Sequence, residues 1–139
     1  MASISITVDL DRLPTLEISD DVVTNWIEAR LNDARNTFIQ NVSRGGGGGR
    51  TYRRGRRGMH RASAPGEYPV TDSGRLVNSV NFVVHSAQEG VLYADVEYAK
   101  FLTEGTARMA ARRMLADALT EVLESRPRED ALARAARLR

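Results

Sequence analysis

The sequence predicts an α+β fold: a small, mostly antiparallel sheet packed by helices, with a long flexible Gly/Arg-rich loop. Three observations lead there. Residues 3–10 and 80–96 alternate apolar and polar positions in the manner of half-buried strands. Residues 20–42 and 111–123 repeat apolar side chains at helical spacing. Between the first helix and the second strand region, residues 43–70 carry no periodic signal. With 139 residues, 42% hydrophobic and 27% charged, the chain is expected to form a single domain, 1–139, around one modest core.

Taken in order, Ile4, Ile6, Val8 and Leu10 line one side of a first strand, which Leu13-Pro14 ends. Ser19 or Asp20 then caps a helix with Asp20 and Asp21 in its first turn, where negative charge meets the positive end of the helix dipole. Val23, Ile27, Leu31, Ala34, Phe38 and Val42 form its apolar face, with Trp26 alongside. At about 1.5 Å per residue, that helix spans on the order of 35 Å. Residues 43–70 follow, with five consecutive glycines, an arginine cluster, Pro65-Gly66 and Pro69. Glycine's backbone entropy and repulsion between the arginines argue for a mobile arm rather than a packed segment. A short helical turn over Gly74–Ser79, capped by Asp72 or Ser73, leads into a hairpin. Its strands carry Val80, Phe82 and Val84, then Val91 to Val96, around a turn at Gln88-Glu89-Gly90.

From Tyr93 to Leu123 the chain reads as strand, short helix, Gly-Thr break and longer helix. Tyr98, Phe101 and Leu102 share one helical face and are expected in the core. Gly105 is placed to end that helix, and Thr106 to cap the next, whose apolar stripe is Ala111, Met114, Leu115, Ala118, Leu119, Val122 and Leu123. Pro127 closes it. The C-terminal tail, 126–139, is helix-prone but thinly apolar, so it is read as a frayed end or as a segment ordered by a neighbouring subunit.

Charge is distributed unevenly. The chain carries a net +2, yet seven arginines (Arg44, Arg50, Arg53, Arg54, Arg56, Arg57 and Arg61) fall within eighteen residues that hold no acid, leaving −5 on the rest. Three readings of that basic stretch are open: a solvated loop without a partner, a contact with the acidic body of an adjacent protein, or a grip on DNA phosphates. Guanidinium groups suit the last because they stay charged and present a fork of donors.

Catalytic signals are absent. With no cysteine, thiolate chemistry and disulfides are excluded. His60 and His85 have no partner spacing for a metal or a dyad, and Ser73 reads as a cap rather than a nucleophile. The glycine run lacks the Gly-Lys-Ser/Thr ending of a phosphate cradle. Asp95, Glu97 and Glu104 are expected to face solvent or a neighbouring arginine. No enzyme activity, metal or cofactor is expected, nor a membrane span or a signal segment.

The order of several short motifs resembles a family of tailed-phage (siphophage-type) neck proteins, the head–tail joining or tail-completion proteins. Tyr98-Ala99, Phe101-Leu102 and Gly105-Thr106 are similar to its tyrosine–alanine … glycine–threonine signature. Ala64-Pro65-Gly66 through Pro69, then Ser73-Gly74-Arg75-Leu76 with Asn78-Ser79-Val80, resemble an upstream block. Arg112-Arg113-Met114-Leu115 stands where members show arginine, proline, an aromatic and leucine; Arg113 and Met114 depart from that pattern, as do Thr103 and Glu104 from an acidic–aromatic pair. The likeness spans about Ala64 to Leu123, under half of the chain.

It implies a compact α+β subunit in which Gly74, Leu76, Tyr98, Ala99, Gly105, Thr106, Arg112 and Leu115 are structural. It further implies a virion protein, assembled in the host cytoplasm, that forms a homo-oligomeric ring of six or twelve copies. Such a ring would join a DNA-filled head to a tail, contact other neck and tail proteins, and pass double-stranded DNA through its lumen during genome ejection. Faces bearing Arg108, Arg112 and Arg113, or Glu104, Asp117 and Glu121, would meet neighbouring subunits. A tail-terminator ring subunit and a non-specific DNA-binding protein using the basic arm are the alternatives.

Overall fold

The computed structural model describes residues 2–9, 19–44, 48–49, 51–53, 58–69, 74–125 and 131–139. Its centre is a four-stranded antiparallel sheet made of β1 (Ala2–Val8), β4 (Val80–Ser86), β5 (Glu89–Ala94) and β6 (Ala136–Leu138) in the order β4-β5-β1-β6. A long helix, α1 (Asp20–Ser43), and a shorter one, α4 (Leu115–Glu124), pack together over one face of it. The α+β class follows directly from these elements.

Sequence periodicity accounts for the main packing. Ser19 adopts extended backbone and its hydroxyl accepts a hydrogen bond from the Val22 N–H, with Asp20 and Asp21 in the first turn of α1. The predicted stripe of Val23, Ile27, Leu31, Ala34, Phe38 and Val42 is fully buried. Beneath it lie Ile6, Val8, Val80, Leu92 and Ala94, the inward residues of three strands, and Met114, Leu115, Ala118 and Leu119 complete one continuous core. Strand alternation puts Val80, Phe82 and Val84 inward and Asn81, Val83 and His85 on the exposed face.

Gly90 permits the close approach of helix to sheet. A Cβ there would stand 2.6 Å from Leu31 Cδ1 and 2.7 Å from Ile27 Cγ2. It therefore sits within β5, opposite Ile6 and Val84, and the hairpin turn falls earlier, at Ala87-Gln88. The turn expected at Gln88-Glu89-Gly90 is corrected accordingly: Glu89 and Gly90 belong to β5.

Of the two outer strands, β4 is the longer. Ser79 and Asp95 share a hydrogen bond across the hairpin, so alternation turns the backbone groups of Val80 and Phe82 outward. One group of each has a side-chain partner. Arg35 Nε donates to the Val80 carbonyl at 2.9 Å, and the Phe82 N–H donates to the Asn81 side-chain oxygen at 2.9 Å.

Four further expectations are corrected. Residues 43–70 are not without secondary structure: Ser43 belongs to α1, and β2 (Thr51–Arg53) pairs with β3 (Met59–Arg61) as an antiparallel hairpin. Residues 45–47, 50, 54–57 and 70 lie outside the described residues, as do the cap candidates Asp72 and Ser73. The tail, read as frayed or awaiting a neighbour, instead forms α5 (Ala131–Ala135) and β6, with Leu132 and Ala135 buried and β6 paired to β1; residues 126–130 are outside the described set. Tyr98 and Phe101 are not core residues, being 37% and 53% exposed at the short helix α3 (Ala99–Glu104); there Ala99 is buried, with Leu102 partly so. Finally, Thr106 does not cap the last long helix. α4 begins only at Leu115, where the Met114 N–H donates to the Asp117 carboxylate at 3.0 Å.

Candidate nucleic-acid interface

The seven arginines can be placed as far as the described residues reach. Arg44 is exposed at the C-terminus of α1, and its N–H donates to the Gln40 carbonyl. Arg53 stands on β2 opposite Met59 in the hairpin register. Arg61, exposed on β3, directs Nε to the Gly49 carbonyl at 3.4 Å. Arg50, Arg54, Arg56 and Arg57 lie outside the described residues. Of the basic stretch, Arg53 and Arg61 are thus placed on the two strands of one hairpin, and Arg44 at the end of α1.

The base of this hairpin is fastened to the body by a network that sequence reading did not single out. The Glu67 carboxylate accepts the N–H groups of Gly48 (2.9 Å) and Ala64 (2.8 Å). Those two bonds hold its carboxyl below the usual carboxylate range, helped by the nearby charges of Arg112 and Arg61 and opposed by partial burial. Gly49 donates to the Ala62 carbonyl at 2.9 Å, closing the ladder at the hairpin's root.

Arg112 then clamps the segment from the other side. Its Nε donates to Ser63 Oγ at 2.9 Å, one terminal nitrogen to the Ser63 carbonyl at 3.0 Å, and the other to the Ala110 carbonyl at 2.7 Å. Backbone bonds from Arg112 to Leu102 and from Arg113 to Glu67 run beside it. Farther along, the Tyr68 ring meets Phe38 edge-on at 6.0 Å, and its hydroxyl donates to Glu121 at 2.8 Å. Burial, then that bond to a carboxylate, pushes the Tyr68 phenol well above its ordinary range. A signal for this docking was present: Glu67 is the one acid between Arg44 and Val70, and an aromatic flanked by prolines follows it.

The motif residues divide by role. Gly74 has positive φ (76°) at the start of α2 (Arg75–Ser79), and Leu76 is buried within that turn. Gly105 ends α3 with φ 77° and donates to the Phe101 carbonyl; a Cβ there would lie 2.9 Å from Ala111 N and from Met109 O. Thr106 pairs with Met109 in a tight turn, and its hydroxyl accepts from the Arg108 N–H. Ala99 and Leu115 are core residues. Four of the side chains expected to face neighbouring subunits have partners within the chain: Arg112 on Ser63, Asp117 at the start of α4, Glu121 with Tyr68, and Arg113 with Glu121 at 3.9 Å.

Other sites for chemistry are sparse among the described residues. No cluster of three or more His, Asp or Glu residues there could hold a metal ion. An open polar groove of about 470 Å³ lies between α1 and α4, lined in part by Arg30, Asp33, Gln40, Glu121 and Ser125. Arg30 reaches Asp33 at 2.9 Å through a terminal nitrogen, while its Nε is buried without a hydrogen-bond partner. His85 stands exposed on the outer face of β4. No helix among the described residues is long and apolar enough to cross a membrane.

Comparison of the chain with protein-family models, with curated proteins and with solved structures yields no match.

Proposed function

We propose that this chain is a non-enzymatic structural subunit of a tailed-phage neck, a tail-completion or head–tail joining protein that assembles into a ring around the passing genome. The observation that carries the reading is how the motif blocks of the sequence meet. The Arg112 N–H donates to the Leu102 carbonyl at 2.8 Å and the Arg113 N–H to the Glu67 carbonyl at 2.9 Å, so the last block is bonded to both of the others. Three blocks separated along the chain thus act as one structural unit, which gives their shared order and spacing a physical reason.

The basic hairpin supplies the contact with DNA in this reading. Seven arginines from each of six copies would bring 42 positive charges to one annulus, and twelve copies twice that. Duplex DNA carries a charge about every 1.7 Å, so such a ring would hold it without sequence preference. A grip of this kind weakens steeply with salt, which suits a conduit the genome must pass through.

Light scattering and negative-stain electron microscopy of the purified protein, at low and high salt and with and without duplex DNA, test the proposal. Rings of six or twelve copies, or rings formed only around DNA, are the expected result. A stable dimer that binds DNA tightly at low salt would replace the reading with that of a free DNA-binding protein. A tail-terminator subunit would give rings too, and would be told apart by binding to tail tubes rather than to filled heads.

A further inference from the structure

We infer that the exposed Tyr98–Phe101 face beside α3 receives β3 of a second copy of this chain, with Met59 seated on the aromatic pair and Arg61 on the surrounding carboxylates. The inference rests on the oligomeric reading above and names the surfaces that would make it.

Each half of the contact is unsatisfied in the single chain. Met59 is 64% exposed, Phe101 53% and Tyr98 37%, and the two aromatics stand three residues apart on one helical face. A thioether packs well on aromatic rings, preferring their edges, and adapts its shape to the site. Around the aromatics lie Asp95, Glu97 and Glu104, all exposed and none in an ion pair among the described residues. Lys100 stands among them, so the stretch 95–104 keeps a net charge of −2.

The hairpin is its complement in both respects. It presents the exposed Met59 beside the exposed Arg61, and the sequence from Arg44 to Arg61 holds no acid. The bonds from Glu67, Arg112 and Gly49 fix its root, so Met59 and Arg61 are offered from a held base rather than from a free tether. Much of the ordering cost is then met before association. The Arg61 guanidinium arriving at the aromatic face adds cation–π attraction to the charge pairing.

Because the two surfaces differ, the contact is head-to-tail, the type that closes into a ring when the rotation allows and otherwise extends as a filament. One such contact is small and therefore weak; closure of the ring supplies the avidity. Charge pairing at exposed groups also makes assembly sensitive to salt.

The chain has no cysteine, which permits a clean test. Met59→Cys and Phe101→Cys are made separately, each at an exposed position. Mixed under mild oxidation, the two proteins are expected to form a disulfide-linked dimer that neither forms alone, and the double variant is expected to give a ladder of linked multimers. Adding Glu97→Arg and Glu104→Arg to the Phe101→Cys chain should slow the linkage roughly tenfold.

Rings seen by light scattering without 59–101 linkage would overturn the inference and leave the proposed function standing. Linkage of each single variant to itself would overturn it as well, in favour of a two-fold contact. A linked ladder that never closes into rings, with or without DNA, would uphold the contact and sink the neck reading.

Discussion

Arg112 shows what a single side chain can hold together. Three charge-assisted donors are spent on Ser63 and Ala110, joining the hairpin segment to the loop after α3. Replacement by Ala would strand the Ser63 acceptors, and Ser63 is 8% exposed. Arg112→Ala is therefore expected to lower stability by about 2 kcal/mol in urea unfolding, with Arg112→Lys recovering only part because a lysine lacks the fork. Glu67 makes a different prediction. Its folded pKa lies below the usual value of 4.5, so the stability it lends is present above that pH and is lost as pH falls through the folded value. Thermal melts between pH 5 and pH 3, on the order of the range in which a carboxylate titrates, should show a smaller decline for Glu67→Gln than for the wild type. Neither role could be read from the chain alone. An arginine's residue type does not say whether its donors meet a phosphate, a neighbour or a carbonyl forty-nine residues away.

At the scale of elements, legibility followed periodicity. The buried stripe of α1 and the alternation of β1, β4 and β5 were plain because each element carries enough turns or pleats for its period to repeat. Short elements were not. The strands β2, β3 and β6 have three residues each, too few for an alternation to register. At α3, Phe101 and the N-cap Tyr98 stand at core spacing, but spacing fixes only that they share a face, not which face turns inward. Ala99 and Leu102 take the inward positions and leave Tyr98 and Phe101 to solvent. The tail was misread for a related reason: its thin stripe suffices because β6 gains its place from pairing with β1. The sequence gives no sign of that pairing. Leu132 is the largest buried residue of this tail. Leu132→Ala is expected to destabilise the protein by about 2 kcal/mol, and hydrogen exchange should show β6 and the facing amides of β1 losing protection before β5 does.

For the whole molecule, the two outer edges of the sheet differ in kind. The edge formed by β6 is short, whereas β4 is seven residues long and carries no charged side chain or proline. Strands of that kind are templates for other chains. On β4 the Val80 carbonyl and the Phe82 N–H are already occupied, by Arg35 and Asn81. If the chain works as the proposed ring subunit, these bonds have a consequence where many copies stand at close quarters. They are expected to keep crowded subunits from zipping into a shared cross-β fibre when only side-chain contacts are wanted. Freeing the edge with Arg35→Ala and Asn81→Val together should leave the helices intact by circular dichroism. At high protein concentration it should also bring a rise in thioflavin fluorescence that the wild-type chain does not show; a flat signal would mean that the edge is guarded by something else. Solubility in this chain would then reside less in its surface charge than in two backbone groups that have been given somewhere else to bond.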